Sequence, residues 1–185
     1  GWMETGELLT TAADYIDFIK FGFGTAALFH EDFLRRKIEL IRSYGVYPYC
    51  GGTLFEIAVW QKKVSSFFHY LHTFNIVYIE ISDGTIPLSF CTRSKLIKAA
   101  KEEGFNVITE IGKKDPAKQI IATEIKILIE NDLCDGADLI ILEGRESGKN
   151  IGIYDQNGKI IAEKFAELID TNNFPVEKII WEAPL

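Results

Sequence analysis

The sequence predicts an α/β fold, in which parallel strands alternate with helices. Six short runs rich in β-branched and aromatic residues are separated by longer stretches with apolar residues at helical spacing. Successive runs follow one another after roughly thirty residues, the length of one βαβ unit. The predicted strands are Tyr15–Phe21, Val46–Cys50, Ile76–Ile81, Asn106–Ile111, Leu139–Leu142 and Lys178–Trp181.

Four apolar stripes between these runs predict helices that pack on the sheet. The stripes are Leu34, Ile38 and Ile41; Val64, Phe67, Phe68 and Leu71; Leu96, Ile97 and Ala100; and Ile125, Leu128, Ile129 and Leu133. Gly45, Gly104 and Gly136 stand where helices should end before the next strand. The composition shows no break that would mark a second domain, so we expect residues 1–185 to form a single domain.

Composition and charge narrow the range of partners. The 185 residues are 47% hydrophobic and 25% charged, enough for one sizeable core. The formal net charge of −7 argues against nucleic acid or an anionic membrane as the main partner, but it leaves room for a small anion in a locally cationic pocket. No apolar run approaches the ~20 residues of a membrane span. Cys50, Cys91 and Cys134 match no metal or redox spacing, so we expect them to be reduced and packed in a cytoplasmic protein.

Two architectures fit six strand–helix repeats in one domain: a doubly wound sheet and a (β/α)8 TIM-type barrel. A dinucleotide-binding doubly wound sheet would carry a Gly-rich turn after its first strand. The nearest candidate is FGFGT, at Phe21–Thr25, which lacks a third glycine at the required spacing. The positions of the polar residues therefore have to separate the two architectures.

Charged residues stand at the carboxyl ends of the predicted strands. Glutamates close four consecutive strands, namely Glu80, Glu110, Glu143 and Glu182. Cations accompany them, namely Lys20, Lys113, Lys114 and Arg145. Strand alternation puts Glu110 and Lys114 on one face of their strand, and Glu143 and Arg145 on one face of theirs. In a parallel barrel such residues converge at the carboxyl-terminal mouth, where enzymes of this fold act.

This mixture of charges also indicates the kind of ligand. For a single glutamate, an ion pair on the barrel rim is as good an explanation as a site, but four acids mixed with cations on consecutive strands favour a polar active site. Carboxylates in this number suit a hard divalent cation such as Mg²⁺, which takes oxygen ligands and keeps several waters. The lysines and the arginine suit a substrate with phosphate or carboxylate groups.

Six motifs extend from Tyr15 to Pro184: YIDFIKFGFGT, VYPYCGGTLFE, IEISDGTIPLS, VITEIGKKDP, ILEGRESGK and WEAP. In order and spacing they resemble the phosphosulfolactate synthase family. The resemblance implies a (β/α)8 barrel and a carbon–sulfur lyase. It also implies Mg²⁺-dependent addition of sulfite to phosphoenolpyruvate, giving (2R)-3-phosphosulfolactate through an enediolate. It leaves open whether the product enters coenzyme M or sulfolactate formation, and whether the chain forms a homo-oligomer.

The chain departs from the family pattern at both ends. Members usually begin with a further strand that ends in Asp-Lys-Gly, and they end with a further strand beyond EAP. This sequence opens at Gly1 and stops at Leu185. We therefore expect it to carry about six strands of the barrel and to be part of a longer protein. Part of the phosphate site would then lie outside it, since such barrels often bind phosphate after strands seven and eight.

The resemblance points to Lys114, the second lysine of GKK, as the acid that protonates the second carbon of the substrate. Glu110 and Arg145 complete the predicted catalytic set. The candidate metal ligands, directly or through water, are Glu80, Glu110 and Glu143. The candidates for substrate binding are Lys20, Lys113, Gly51, Gly52, Thr53, Ser147 and Glu182. Ser82 and Asp83 are expected to orient the binding residues without touching the substrate themselves. Without the resemblance, the glycines at 51 and 52 favour a plain strand-to-helix turn over an anion site.

Two other functions fit the sequence. A Schiff-base aldolase would use Lys20 or Lys114 as a covalent nucleophile without a metal, and borohydride trapping with substrate would reveal it. A non-catalytic barrel relative would have lost the charged residues at the strand ends. This chain retains all of them, which favours an enzyme.

Overall fold

The protein contains one sheet of six parallel strands, neighbouring each other in chain order. A computed structural model describes residues 1–112, 120–144, 153–169 and 174–183. The strands are β1 (Phe18–Phe21), β2 (Tyr47–Cys50), β3 (Tyr78–Ile81), β4 (Asn106–Ile111), β5 (Leu139–Leu142) and β6 (Ile179–Trp181). Sequential order, parallel pairing and a curled sheet are the features of a (β/α)8 barrel, of which these six strands form part. The predicted fold class is confirmed.

Helices connect the strands. They are α1 (Trp2–Ala12), α2 (Glu31–Ser43), α3 (Gly52–Trp60), α4 (Val64–Thr73), α5 (Phe90–Glu102), α6 (Ala122–Asp135) and α7 (Ala162–Ile169). Short 3-10 helices cover Ala13–Tyr15, Gly22–Leu28 and Val176–Lys178. Within the described ranges, none of the helices combines the length and the apolar character that a membrane span requires.

The strands predicted from sequence are confirmed, with shifts at their amino ends. β4 and β5 have the predicted bounds. β1 begins only at Phe18, because the residues up to Tyr15 form a 3-10 helix that continues from α1. Gly45, Gly104 and Gly136 follow α2, α5 and α6 with φ values of 78°, 88° and 110°, so they end these helices in the left-handed conformation as predicted.

Alternation along the strands divides the apolar side chains between two faces. Toward the helices, Ile79, Ile81, Val107 and Ile140 are fully buried, and each contributes about 1.5–3 kcal/mol by leaving water. The predicted helical stripes supply the facing half of this outer core through Leu34, Ile38, Ile41, Phe67, Phe68, Leu71, Ile97, Ala100, Ile125 and Ile129.

The opposite, concave face carries a smaller cluster at the centre of the curled sheet. Its buried members are Tyr49, Ile108 and Ile141, with Phe18, Tyr78, Leu139 and Ile180 packed against them. These residues form the floor beneath the carboxyl ends of the strands. The polar residues described below lie above this floor.

The cysteines are all free, as predicted, but only one of them is packed. Cys50 is buried, whereas Cys91 and Cys134 are exposed on α5 and α6. The expectation that all three are packed is therefore wrong for two of them, because both lie on the outward side of their helices. Burial, together with the charge of Glu80, raises the pKa of the Cys50 thiol to about 12.

Candidate active site

Lys20, Glu80 and Glu110 project from the concave face of the sheet. Lys20 is level with Tyr49 in the β1–β2 register, and Tyr49 belongs to the concave cluster. Glu80 is level with Ile108, another member of that cluster, and Glu110 stands two residues beyond Ile108 on the same strand. Since side chains alternate between faces, all three charged residues point to the same side. The prediction that strand-end charges converge at the mouth is confirmed for them.

The ammonium of Lys20 links the two glutamates. Its Nζ lies 2.9 Å from Oε2 of Glu80 and 3.2 Å from Oε2 of Glu110. Both carboxylates are buried, with 0% and 2% of their side chains exposed, whereas 32% of the Lys20 side chain is exposed. A lysine from β1 therefore neutralises acids from β3 and β4 at the bottom of an accessible site.

Among the residues that the structure describes, the two carboxylates of this cluster share one ammonium. Burial raises the pKa of Glu80 to about 7, and the neighbouring Glu110 carboxylate acts in the same direction, against the lowering effect of Lys20. Burial alone would lower the pKa of Lys20, but the charges of Glu80 and Glu110 outweigh it and raise that pKa. The lysine is therefore a stable cation at neutral pH, while Glu80 takes up a proton easily.

The second oxygen of Glu80 accepts a hydrogen bond from the start of helix α3. The backbone N–H of Gly52 donates to its Oε1 over 2.6 Å. A Cβ on residue 52 would lie 2.7 Å from that oxygen and would overlap Oγ of Ser82, so only glycine allows this approach. Gly51 is similarly confined, because a Cβ there would lie 2.7 Å from Cε of Lys20.

The GGT turn was predicted to bind a substrate anion through its backbone N–H groups. In this structure the N–H of Gly52 serves the carboxylate of Glu80 instead. Thr53 follows it at the start of α3 and is half-buried. Anion binding by this turn remains a prediction.

Glu143 and Glu182 directly follow β5 and β6. Glu143 is 8% exposed, and its Cβ and Cγ lie so close to Gly112 that a side chain at position 112 would collide with them. Glu182 accepts a hydrogen bond from the backbone N–H of Gly144 at 2.8 Å, and its carbonyl accepts one from the hydroxyl of Tyr154 at 2.9 Å. Glu182 thus ties the end of β6 to the loop after β5.

Of the three predicted metal ligands, Glu80 and Glu110 lie together, and Glu143 follows the neighbouring strand β5. Glu80 and Glu110 meet at Lys20, and within the part of the chain that the structure describes no three acidic, histidine or cysteine side chains form a metal-binding cluster. Oε1 of Glu110 is nevertheless buried without a hydrogen-bond partner among those residues. Mg²⁺ commonly binds through only one or two carboxylates, with waters and substrate oxygens completing its shell. An unsatisfied carboxylate oxygen at the mouth fits that mode of binding.

The remaining predicted site residues lie outside the described residues. They are Lys113, Lys114, Arg145 and Ser147. Their predicted roles as proton donor and anion-binding groups stay predictions.

Sequence reasoning missed two buried charged residues behind the site. Glu56 on α3 is 1% exposed and accepts hydrogen bonds from Ser82 Oγ at 2.5 Å, from Thr85 N at 3.0 Å and from Ile86 N at 2.6 Å. It therefore holds the loop that follows β3. Arg93 on α5 is 3% exposed and contacts the end of β4. The sequence does contain a signal for Glu56, because a single glutamate within the apolar stretch TLFEIAV indicates a buried carboxylate.

Comparison with a solved structure agrees with the fold. The structure of a 2,3-dimethylmalate lyase, a member of the PEP mutase/isocitrate lyase superfamily, superposes with a TM-score of 0.50 at 19% sequence identity. The match covers 77% of this chain and 55% of the lyase chain, so the present chain spans about half of that protein. At this identity the likeness concerns the fold alone.

Three curated relatives are much more similar in sequence. The phosphosulfolactate synthases of Methanothermobacter thermautotrophicus and Methanocaldococcus jannaschii are each 42% identical over 180 residues, and that of Bacillus subtilis is 35% identical over 181. These matches cover 96% of this chain and 69%, 71% and 69% of the respective relatives. The family model described as (2R)-phospho-3-sulfolactate synthase (ComA) matches residues 1–185. The chain belongs to the (2R)-phospho-3-sulfolactate synthase family.

Proposed function

We propose that this chain catalyses the addition of sulfite to phosphoenolpyruvate, giving (2R)-3-phosphosulfolactate. The observation that carries the proposal is the linked set of Lys20, Glu80 and Glu110 on the concave face, in a chain of this family. The set combines a partly exposed cation with a buried carboxylate oxygen that has no hydrogen-bond partner among the described residues. Such a site suits a small substrate with several negative charges.

The reaction places its main demand on charge stabilisation. The sulfur lone pair of sulfite forms a bond to the methylene carbon of phosphoenolpyruvate, and the π electrons of the carbon–carbon double bond move toward the carboxylate. The result is an enediolate with an additional negative charge. A proton then adds to the second carbon and completes the product. Groups that stabilise the enediolate accelerate the first step, because its charge develops in the transition state.

The residues at the mouth would share the stabilisation of this charge. Lys20 is cationic at neutral pH; its Nζ donates a hydrogen bond to Oε2 of Glu110 and lies 2.9 Å from Oε2 of Glu80 as an ion pair. A remaining N–H of this ammonium can donate to a substrate oxygen. The proposed proton donor is Lys114, and Lys113 and Arg145 are the proposed partners of phosphate or sulfite. A donor on one side of the planar enediolate fixes the configuration at the second carbon.

A magnesium ion is the proposed cofactor. When bound, it would supply Lewis-acid stabilisation to the substrate carboxylate. Glu110 is the first candidate to hold it, through the buried Oε1, while Glu80 and Glu143 would contribute directly or through water. Lys20 reduces the repulsion between the carboxylates of Glu80 and Glu110 before the ion binds.

The charges around Lys20 argue against its use as a Schiff-base nucleophile. Imine formation needs a neutral amine, whereas the two carboxylates raise the pKa of Lys20 and keep it protonated. We therefore expect sodium borohydride with a keto acid such as pyruvate, whose carbonyl could form an imine, to leave Lys20 unmodified. A stable adduct on this lysine would favour an aldolase instead.

The function can be tested with purified protein, phosphoenolpyruvate and sulfite. We expect the enol absorbance of phosphoenolpyruvate to fall when Mg²⁺ is present and to stay constant with a chelator. A matched reaction without sulfite controls for hydrolysis. No loss of absorbance from a protein that circular dichroism shows to be folded would contradict the proposal.

A further inference from the structure

Arg93 of α5 is a buried cation that contacts three other parts of the fold. Its side chain is 4% exposed, and its guanidinium reaches Asp132 of α6, Asp83 in the loop after β3, and the main-chain carbonyl of Glu110. We propose that Arg93 is a positioning residue for the reaction, which fixes the Glu110 peptide and thereby the direction of its carboxylate. The proposal rests on the proposed function.

The carbonyl of Glu110 needs a partner because β3 ends before β4. The β3–β4 register stops at Ile81 beside Thr109, while β4 continues to Ile111 beside β5. Ile111 directs its carbonyl to β5, where the N–H of Glu143 donates to it at 3.0 Å. Backbone groups alternate in direction along a strand, so the carbonyl of Glu110 points to the side that β3 has left.

Arg93 supplies the missing donor. Its Nη2 donates to the carbonyl oxygen of Glu110 at 3.1 Å, in the place that a further residue of β3 would occupy. A buried carbonyl without a donor would be costly, so this contact holds the last part of β4 in an extended conformation. The side chain of Glu110 then points over the concave face and meets Lys20.

Asp132 holds the guanidinium in this orientation. Its two oxygens accept from Nε at 2.8 and 3.1 Å, and Oδ2 also accepts from Nη2 at 2.6 Å. Asp83 lies farther away, with Oδ1 at 3.5 Å from Nη1. The guanidinium is planar, so the hydrogen bonds to Asp132 fix its orientation. They thereby also fix the direction of the second N–H of Nη2, which donates to the Glu110 carbonyl. A lysine has one ammonium and cannot span Asp132 and the carbonyl in the same geometry.

The test separates positioning from a purely structural ion pair. Arg93→Met alone leaves the buried Asp132 charge unpaired and should destabilise the fold, whereas a double variant, Arg93→Met with Asp132→Leu, removes both charges. We expect the double variant to be folded and to unfold at a temperature between those of Arg93→Met and wild type, since the Glu110 carbonyl still loses its donor, and to have a kcat lowered about 10- to 100-fold. The KM for phosphoenolpyruvate should stay within about threefold, because Glu110 acts on charge that develops during the reaction.

A matched control comes from the same helix. Lys101 of α5 pairs with Asp138 at 2.7 Å, at the amino-terminal end of the neighbouring strands. Lys101→Met should leave kcat unchanged. Arg93→Lys provides a second variant that keeps the charge, and we expect it to remain folded with a kcat as low as that of the double variant.

Hydrogen exchange gives a readout that does not depend on activity. The amides of Ile111 and Gly112, directly after Glu110, should exchange faster in the double variant, while those of Val107 and Ile108 should keep their protection. Unchanged exchange at 111 and 112, or a double variant or Arg93→Lys with wild-type kcat, would overturn the proposal. If wild-type protein gives no product, the proposed function fails, and the exchange rates still decide whether Arg93 positions the strand.

Discussion

Replacing Lys20 with methionine should make the stability of the protein strongly dependent on pH. The change keeps an unbranched side chain that ends at the Cε position and removes the ammonium that Glu80 and Glu110 share. With an effective dielectric constant of about 20, contacts of 2.9 and 3.2 Å each correspond to roughly 5 kcal/mol of gross attraction. Desolvation and the partial exposure of Lys20 offset much of this, so we expect a net loss of about 2–4 kcal/mol at pH 8.

The pH dependence follows from the raised pKa of Glu80. In the folded protein this pKa is about 7, against an ordinary value of 4.5. Between pH 4.5 and pH 7, Glu80 is mostly protonated in the folded protein and mostly ionised in the unfolded chain. The stabilisation from this group is therefore complete below about pH 4.5 and is lost as the pH rises through 7. At about 1.4 kcal/mol per pKa unit, the loss is about 3 kcal/mol.

The Lys20→Met substitution removes the charge that lowers this pKa, so the pKa of Glu80 rises further. The variant should then lose less stability at pH 5, where Glu80 is protonated and only the pair with Glu110 is removed, than at pH 8, where both pairs are removed. Urea denaturation at both pH values measures the difference. Lys98→Met, which breaks an exposed pair with Asp135, is the control and should show no such pH dependence. An equal effect of Lys20→Met at pH 5 and pH 8 would refute the reasoning.

Three other substitutions test separate parts of the site. Lys114→Ala should leave the unfolding temperature nearly unchanged and abolish turnover, and substantial residual activity would show that the proton donor is another residue. Gly52→Ala should cost about 1–3 kcal/mol in urea denaturation because its Cβ overlaps Ser82, whereas Gly6→Ala, which meets nothing within 4 Å, should not destabilise. Glu56→Gln should cost about 1–3 kcal/mol by weakening the contacts with the loop after β3, and faster proteolysis of that loop would check the cause. Unchanged proteolysis would mean that Glu56 does not hold the loop.

The strands and the position of the charges were accessible from the sequence. β5 is a continuous apolar run and β4 is rich in β-branched residues, and each is preceded by a glycine that ends a helix, so the start of both strands is marked. β1 has no such mark, since Tyr15 is an aromatic residue that favours a strand and yet lies in a 3-10 helix. At this position the connection from α1 to the sheet determines the conformation, and the strand propensity of the aromatic residue does not.

The contacts among the charges were not accessible in the same way. Their positions at the ends of predicted strands placed Lys20, Glu80 and Glu110 at the mouth, but gave no indication that the lysine would bridge the two acids. Arg93 was missed because an arginine in a helix is normally exposed, and its partner Asp132 is 39 residues away in the chain. Long-range pairing of buried charges leaves no periodic signal in a single sequence.

The most direct measurement of the central claim is the nuclear magnetic resonance spectrum of the product formed in D₂O. Phosphoenolpyruvate and sulfite are incubated with the protein and Mg²⁺, and the product is compared with an unenzymatic reaction. We expect a new carbon–sulfur bond at the third carbon, and one deuterium at the second carbon in a single configuration. Recovery of unchanged phosphoenolpyruvate, or a product without a carbon–sulfur bond, would contradict the account.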